Sequence, residues 1–338
     1  LQGNISEAAK YYQDCINKGF NDYRVFSNYG IILKDLGKLK DAEFLTRKAI
    51  KLNPDLANAH SNLGIILRDF GKLQEAEIST RKAIALKPDL AICHQNLSLL
   101  LYAKGDIHLA IESLENAFSI DRHSKDNQLL LSILRSRESK EDKQIANPIK
   151  KNINNKDFLS YPIILNRSVD PELINSLYKI KSLDLNKFKD PSFGNAKGSD
   201  YNLFDDNEKI TQEVEKDLIS ITGKVLNSDV FFRDSFFTIL GGSSTITKHN
   251  HVGSIDRFPG LNLWKQKYAL VYYLSIGDQN CKHPGILKFY KDEHAMNANK
   301  EILPSEGMIV IFPADKYHSV KYDGNKDRII IGVNFYSI

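Results

Sequence analysis

Two hydrophobic rhythms divide this chain. Through the first third, apolar and small residues return with helical spacing and are interrupted by single glycines. Gly3, Gly37, Gly71 and Gly105 recur every 34 residues, and Ala8, Ala42, Ala76 and Ala110 keep the same step. Residues 23–56 and 57–90 agree throughout: Gly30 and Gly64 stand where two helices would cross closely, Ala49 and Ala83 lie inside the second helix, and Pro54 and Pro88 end it. Residues 91–124 form a looser copy, with Ser98 at the crossing position and Arg122 in place of the proline. The pattern predicts antiparallel helix pairs stacked one upon the next. Gly3 falls in the middle of a unit, so residues 1–22 predict a partial copy with one helix, Ser6 to about Lys18, whose apolar face expects a partner from upstream sequence. Leu129, Leu130, Leu131, Ile133 and Leu134 predict a capping helix over 125–137.

From Phe158 to Ile338 the runs become short, β-prone and separated by glycine and proline. Strands are predicted at about 161–165, 229–240, 244–251, 268–275, 285–290, 308–312 and 328–337, with helices at 171–180 and 208–226. This arrangement suggests a jelly roll, two packed sheets with supporting helices. Between the two rhythms, residues 138–157 hold nine charged and four apolar side chains in twenty, too few apolar groups for a core, and are expected to be a linker. The chain is therefore expected to be multidomain, an all-α solenoid at 1–137 followed by a β-rich domain at 158–338.

Composition narrows the picture only a little. A hydrophobic content of 42%, a charged content of 26% and a net charge of +4 over 338 residues describe an ordinary globular chain, with no basic excess that would call for nucleic acid. Cys15, Cys93 and Cys281 are scattered and odd in number, which fits a reducing cytoplasm. No run approaches a membrane span.

The 34-residue period, with its small residues at the crossing and proline at the end of the second helix, is that of the tetratricopeptide repeat. Asn28, Asn62 and Asn96 repeat at one position of successive first helices, which line the concave face of such an array. A column of amides can donate and accept, so it is a candidate groove for a protein or peptide backbone, and it resembles the asparagine ladder of O-GlcNAc transferase repeats. The plainer reading is that these amides bridge helices. His60 and His94 also share a register position and read as polar face residues, and Arg47, Lys48, Arg81 and Lys82 form a periodic basic stripe.

Chemistry concentrates in the β-rich part. His249 and His251, two residues apart on an extended segment, can present both imidazoles to one ion. His318 follows a turn at Pro304–Gly307, a buried strand at Met308–Phe312 and a bend at Pro313–Tyr317, and is the candidate third ligand. Ten residues on, Arg328 opens a strongly β-prone run. An inward arginine needs an anion, and its planar fork suits a carboxylate.

From about Phe231 to Phe335, Lys-His-Asn-His, Tyr272-Tyr273-Leu274-Ser275, Gly-Met-Ile-Val-Ile-Phe-Pro, His318 and Arg328 resemble, in order, the iron(II)- and 2-oxoglutarate-dependent dioxygenases of the prolyl-hydroxylase-like branch. The resemblance implies a double-stranded β-helix, Fe(II) at His249, His251 and His318, and 2-oxoglutarate with its far carboxylate on Arg328 and a hydrogen bond from Tyr273, or from Tyr272 if the register slips. It also implies molecular oxygen as a reactant, succinate as a product and hydroxylation of the substrate. One departure stands out: the family places Asp or Glu where this chain has His251, and Asp256 is the alternative carboxylate ligand. Lys288 could serve the co-substrate as Tyr273 does. Trp264 lies on an insertion that could form a lid, and His283 and His294 sit in turn-rich segments. No phosphate loop or nucleophile triad competes. The expected function is a hydroxylase whose repeats recruit a protein or peptide. The alternatives are a small-molecule oxygenase with repeats used for assembly, and a repeat scaffold with an inactive oxygenase-like domain.

Overall fold

The computed structural model describes residues 2–146, 162–180, 183–184, 196–205, 208–242, 244–253, 255–258 and 261–338. The chain divides into two compact units, Leu1–Ile149 and Lys150–Ile338. Among the described residues, no helix is long and apolar enough to cross a membrane.

Among the described residues the first unit has eight helices: α1 (Gln2–Asn17), α2 (Tyr23–Asp35), α3 (Leu39–Leu52), α4 (Ala57–Asp69), α5 (Leu73–Leu86), α6 (Ala91–Ala103), α7 (Ile107–Ile120) and α8 (Lys125–Ala146). Asp22 caps α2 by accepting from the Arg24 amide at 2.8 Å. The turns inside the helix pairs need a left-handed residue, supplied by Gly37, Gly71 and Gly105 at φ of +76°, +81° and +93°. Gly30 and Gly64 mark the close crossings, because a Cβ at either would collide with the hydroxyl of Thr46 or Thr80 on the facing helix. Ala42, Ala49, Ala76, Ala83, Ala110 and Ala117 are fully buried there, so small residues set the helix spacing as the period predicted. The capping helix runs past 137 and takes in 138–146 of the expected linker. Lys, Arg, Glu and Gln favour helix, and no glycine or proline intervenes before Pro148. Residues 147–157 of that linker lie outside the described residues.

The second unit is built on two antiparallel sheets. The larger joins β1 (Ile163–Asn166), β9 (Met308–Pro313), β6 (Lys267–Ile276), β11 (Arg328–Ser337), β4 (Val230–Leu240), β3 (Ala196–Gly198) and β2 (Leu183–Asp184) in that order. The smaller joins β5 (Ser244–His249), β10 (Tyr317–Tyr322), β7 (Pro284–Tyr290) and β8 (Lys300–Ile302). Strand alternation sends the larger sheet's side chains to two cores. Leu270, Tyr272, Ile309, Ile311, Ile331 and Phe335 pack with Leu173 and Leu177 of α9 (Pro171–Lys179) and Val214 and Leu218 of α10 (Lys209–Leu226). Ala269, Tyr273, Val310, Phe312 and Ile330 instead meet Leu287, Phe289, Val320 and Tyr322 between the sheets.

Two expectations change here. The strand predicted over 244–251 ends at His249, so His251 sits in the following loop. The segment holding His318 is a strand, not the end of a bend: His318, Val320 and Tyr322 are buried while Ser319 and Lys321 are not. Strands β2, β3 and β8, of two or three residues each, were too short to show a period.

Candidate metal centre

Strand pairing assembles the site. His249, the last residue of β5, lies directly opposite His318 of β10, where the ladder is interrupted by an irregularity before Val320. Opposed residues on one face stand side by side, so both imidazoles enter the same inter-sheet space. His251 joins them from the loop, held by its backbone N–H donating to the Ala314 carbonyl at 2.8 Å. The ligating nitrogens of the three lie within 4.8 Å of one another, and the Nε2 atoms of His251 and His318 are 3.3 Å apart. Phe312 closes one side, edge-on to the His318 ring with centroids 4.8 Å apart.

Backbone carbonyls set the tautomers. The Nδ1 of His249 is 2.8 Å from the Thr247 carbonyl and that of His318 is 3.1 Å from the Lys316 carbonyl. A carbonyl can only accept, so each Nδ1 carries a hydrogen and each Nε2 is left as the ligating atom of the neutral ring. Burial, reinforced by the His249 charge, pushes the His318 imidazole down to about 3, against the opposing bond to Lys316. Burial first, then His318, His249 and Lys267, holds His251 well below the ordinary histidine range. His251 and His318 are therefore neutral at pH 7, the form that binds a metal. The three together could hold a divalent transition ion.

Asp256 is not a fourth member, and its expectation as an alternative ligand is corrected. It is fully buried, and both oxygens are engaged: Oδ2 accepts from Lys267 Nζ at 2.8 Å and from the Gly253 amide at 2.6 Å, and Oδ1 from the Tyr336 hydroxyl at 2.6 Å. Lys267 is itself only 4% exposed, so the carboxylate is the counter-charge of a buried ammonium. Burial and this carboxylate push the Tyr336 phenol up.

Arg328 is 1% exposed at the start of β11, on the same inter-sheet face. It donates from Nη1 to the Gly285 carbonyl, its guanidinium lies 5.1 Å from the Tyr273 ring centroid, and its Nε has no partner. Among the described residues no carboxylate pairs with it. Burial alone lowers its pKa, while Tyr273 opposes. Gly285 is required: its φ is +80°, and a Cβ would occupy the place of the guanidinium. The two possible tyrosines are now distinguished. Tyr273 shares this space with Arg328, its phenol raised by burial. Tyr272 points to the helical side, where it donates to the Ser168 carbonyl at 2.9 Å.

Strand β7 relates the arginine to the histidines. Its Gly285 receives Arg328, and its Phe289 stands opposite His318. The two positions are four residues apart, about 13 Å at ~3.3 Å per residue, with the buried Leu287 between them.

Asn334 is a further inward residue that the sequence reading passed over. It is 6% exposed, its Nδ2 donates to Asp234 at 3.3 Å, and its Oδ1 is unpartnered. It lies across from Ala269, which in turn lies across from Phe312 beside His318. An asparagine six residues after Arg328, at the same strand parity in an otherwise apolar run, was the available signal.

The remaining candidates have other roles. Lys288 faces outward and pairs with Glu301 at 2.8 Å, His283 pairs with Asp323, and His294 is exposed beside Glu293. Trp264 stands in a 3-10 turn with Lys265 over its ring. In the first unit the asparagine column bridges helices: Nδ2 of Asn62 donates to Ser27 and that of Asn96 to Ser61, each at 3.1 Å. Asn96 is buried and Asn28 alone is exposed, so the column is not the continuous open peptide grip that was expected.

The comparisons with known proteins concern the first unit. Models of the tetratricopeptide repeat match residues 23–56 and 91–124, and another matches 45–78. A crystal structure of MamA is similar at 22% identity over 43% of this chain and 85% of that one, with a TM-score of 0.37. MamA residues 41-end from Desulfovibrio magneticus RS-1 is similar at 21% identity, 43% and 82% coverage and a TM-score of 0.37. A Thermobaculum terrenum O-GlcNAc transferase is similar at 23% identity, covering 33% of this chain and 22% of that one, with a TM-score of 0.32. No curated protein matches the sequence. The stacked helix pairs of the N-terminal unit are tetratricopeptide repeats.

Proposed function

We propose that the second unit is a jelly-roll oxygenase dependent on iron(II) and 2-oxoglutarate, and that the repeats recruit a protein or peptide for hydroxylation. One observation carries the reading: a buried arginine with no carboxylate among the described residues shares an inter-sheet space with three converging imidazoles. A buried guanidinium without a counter-charge is strongly unfavourable. The space accordingly calls for an anion at one end and a cation at the other. The guanidinium already lies at Gly285, so the ~13 Å along β7 to Phe289 is the span that a dicarboxylate on Arg328 and an ion on the histidines would share. The donor set fits the metal: the imidazoles of His249, His251 and His318 would hold a ferrous ion through nitrogen. When bound, ferrous iron with 2-oxoglutarate and molecular oxygen supplies oxidation of a C–H bond with release of succinate and carbon dioxide. The chain's own residues bind and position. Arg328 holds the far carboxylate, Tyr273 lies beside it, the Thr247 and Lys316 carbonyls orient two ligands, and Phe289 and Phe312 exclude water. A reducing cytoplasm suits the three free cysteines.

The test is anaerobic titration of the full chain with iron(II) and 2-oxoglutarate. A weak visible charge-transfer band should form, and Arg328→Ala should remove it while metal content stays unchanged. Absence of a band, with no succinate under air, favours the second reading, a repeat-based binding scaffold with an inactive oxygenase-like unit. That reading has its own support: His251 replaces the usual carboxylate, and Asp256 is bound to Lys267. If only free metabolites are oxidised, the repeats serve assembly instead.

A further inference from the structure

The repeats vary at one position in a way that opens the face of the second helices. Phe26 is 1% exposed at that position, and His60 and His94 replace it in the next two copies. Each histidine turns back on the preceding loop, His60 Nε2 lying 2.8 Å from the Pro54 carbonyl and His94 Nε2 2.9 Å from that of Pro88. Beside His60, between α3, α4 and α5, lies a cavity of about 420 Å³, floored by Ile50, Leu63 and Leu67 and rimmed by Lys51, Ile78 and Lys82. One repeat further, Ile84, Leu97 and Leu101 line a second of about 340 Å³ beside His94.

At ~100° per residue, His60, Leu63 and Leu67 lie on the side of α4 opposite Asn62, so this face is distinct from the asparagine column. Ile78 is 70% exposed, and Phe44 at the same position one copy earlier is 69% exposed. Of these only Ile78 borders a cavity, and an exposed aliphatic side chain beside an apolar hollow marks an interaction surface. Its charge selects the partner. Arg47 is neutralised by Glu43 and Glu75, and Glu112 lines the second cavity, but among the described residues no carboxylate pairs with Lys51 or Lys82 at the first, where the unpaired charge is positive. A second copy of this chain would bring the same lysines and a net charge of +4, so the complementary surface is acidic.

We propose that the two cavities receive an acidic amphipathic helix of another protein, with apolar side chains seven residues apart seated in successive cavities and its carboxylates on Lys51 and Lys82. Successive first helices pack about 10 Å apart, and seven residues of helix rise ~10.5 Å, so the two spacings agree. The proposal does not depend on the oxygenase reading.

The probe is a fluorescein-labelled 18-residue peptide, helical in design, with leucines at i, i+3, i+7 and i+10 and glutamate elsewhere on the contact side. Fluorescence anisotropy with the full chain should show saturable binding that weakens at least tenfold between 50 and 500 mM salt. His60→Phe with His94→Phe fills both cavities with the side chain already accommodated at Phe26 and should weaken binding tenfold or more with an unchanged helical melt. Lys51→Glu with Lys82→Glu should do the same without touching the cavities. No binding by the wild type, equal binding of a lysine-for-glutamate peptide, or equal binding by the His60→Phe, His94→Phe protein would each overturn the proposal.

Discussion

The buried histidines should make the metal-free second unit acid-sensitive, and His318 sets a definite part of the slope. His318 binds a proton with a pKa of about 3 when folded and 6.5 when free. Above pH 6.5 neither state is protonated and stability is fully present. As pH falls from 6.5 toward 3 the unfolded chain takes up a proton that the folded chain refuses, so stability declines by about 1.4 kcal/mol per unit and levels off below 3. At pH 4.5 the loss from His318 alone is about 3 kcal/mol, and His251, shifted in the same direction, adds to it. Trp264 is the chain's single tryptophan and belongs to the second unit, so its fluorescence during urea unfolding reports that unit. His318→Gln keeps a polar side chain of similar length but removes the proton site. Between pH 7.5 and 4.5 the wild type should lose ~3 kcal/mol more than this variant. Zinc, a redox-inert probe of the site, should stabilise the wild type more at pH 7.5 than at 4.5. Equal pH slopes for the two proteins would refute the burial argument, and with it the view that His318 is held as a neutral ligand.

Three other outcomes follow from particular contacts. Asp256→Ala strands the buried Lys267 and should destabilise the second unit by about 3–5 kcal/mol in the same unfolding assay, yet leave metal stoichiometry per folded chain unchanged; a lost metal would make Asp256 a ligand after all. Gly285→Ala combines a left-handed backbone with displacement of Arg328. It should cost about 1–2 kcal/mol from the backbone alone and abolish any rise in melting temperature that 2-oxoglutarate gives the wild type, as read by differential scanning fluorimetry. Gly64→Ala forces a methyl onto Thr80, whose hydroxyl is already bonded to the Ala76 carbonyl at 2.9 Å, and should lower helix stability by about 1–3 kcal/mol in far-UV circular dichroism.

Much of the first unit could be read from the sequence because a repeated residue type answers a repeated steric demand: a glycine at each crossing, another at each turn, and alanine wherever two helices touch. The second unit was legible where strands are long. The runs at Val230–Leu240 and Arg328–Ser337 stood out, whereas the alternation over Tyr317–Tyr322 was obscured by the proline and aspartate preceding it. His249 and His318 were each visible, but that they face one another is a property of register between two strands far apart along the chain. Asp256 misled for a related reason. A carboxylate near a histidine pair reads as a ligand until Lys267 and Tyr336, drawn from other strands, are seen to enclose it. The asparagine column was visible too, and its actual partners were one repeat away.

Those partners bear on how such an array can change length. Ser27 receives Asn62 as Ser61 receives Asn96, the same bond with the same length, displaced by one unit. Excising residues 57–90 would bring Asn96 against Ser27 and recreate the stitch that was removed. The array is in this respect modular: whole copies can be gained or lost without leaving a seam at the first helices, whereas a gain or loss of part of a copy would part the amide from the hydroxyl it falls between.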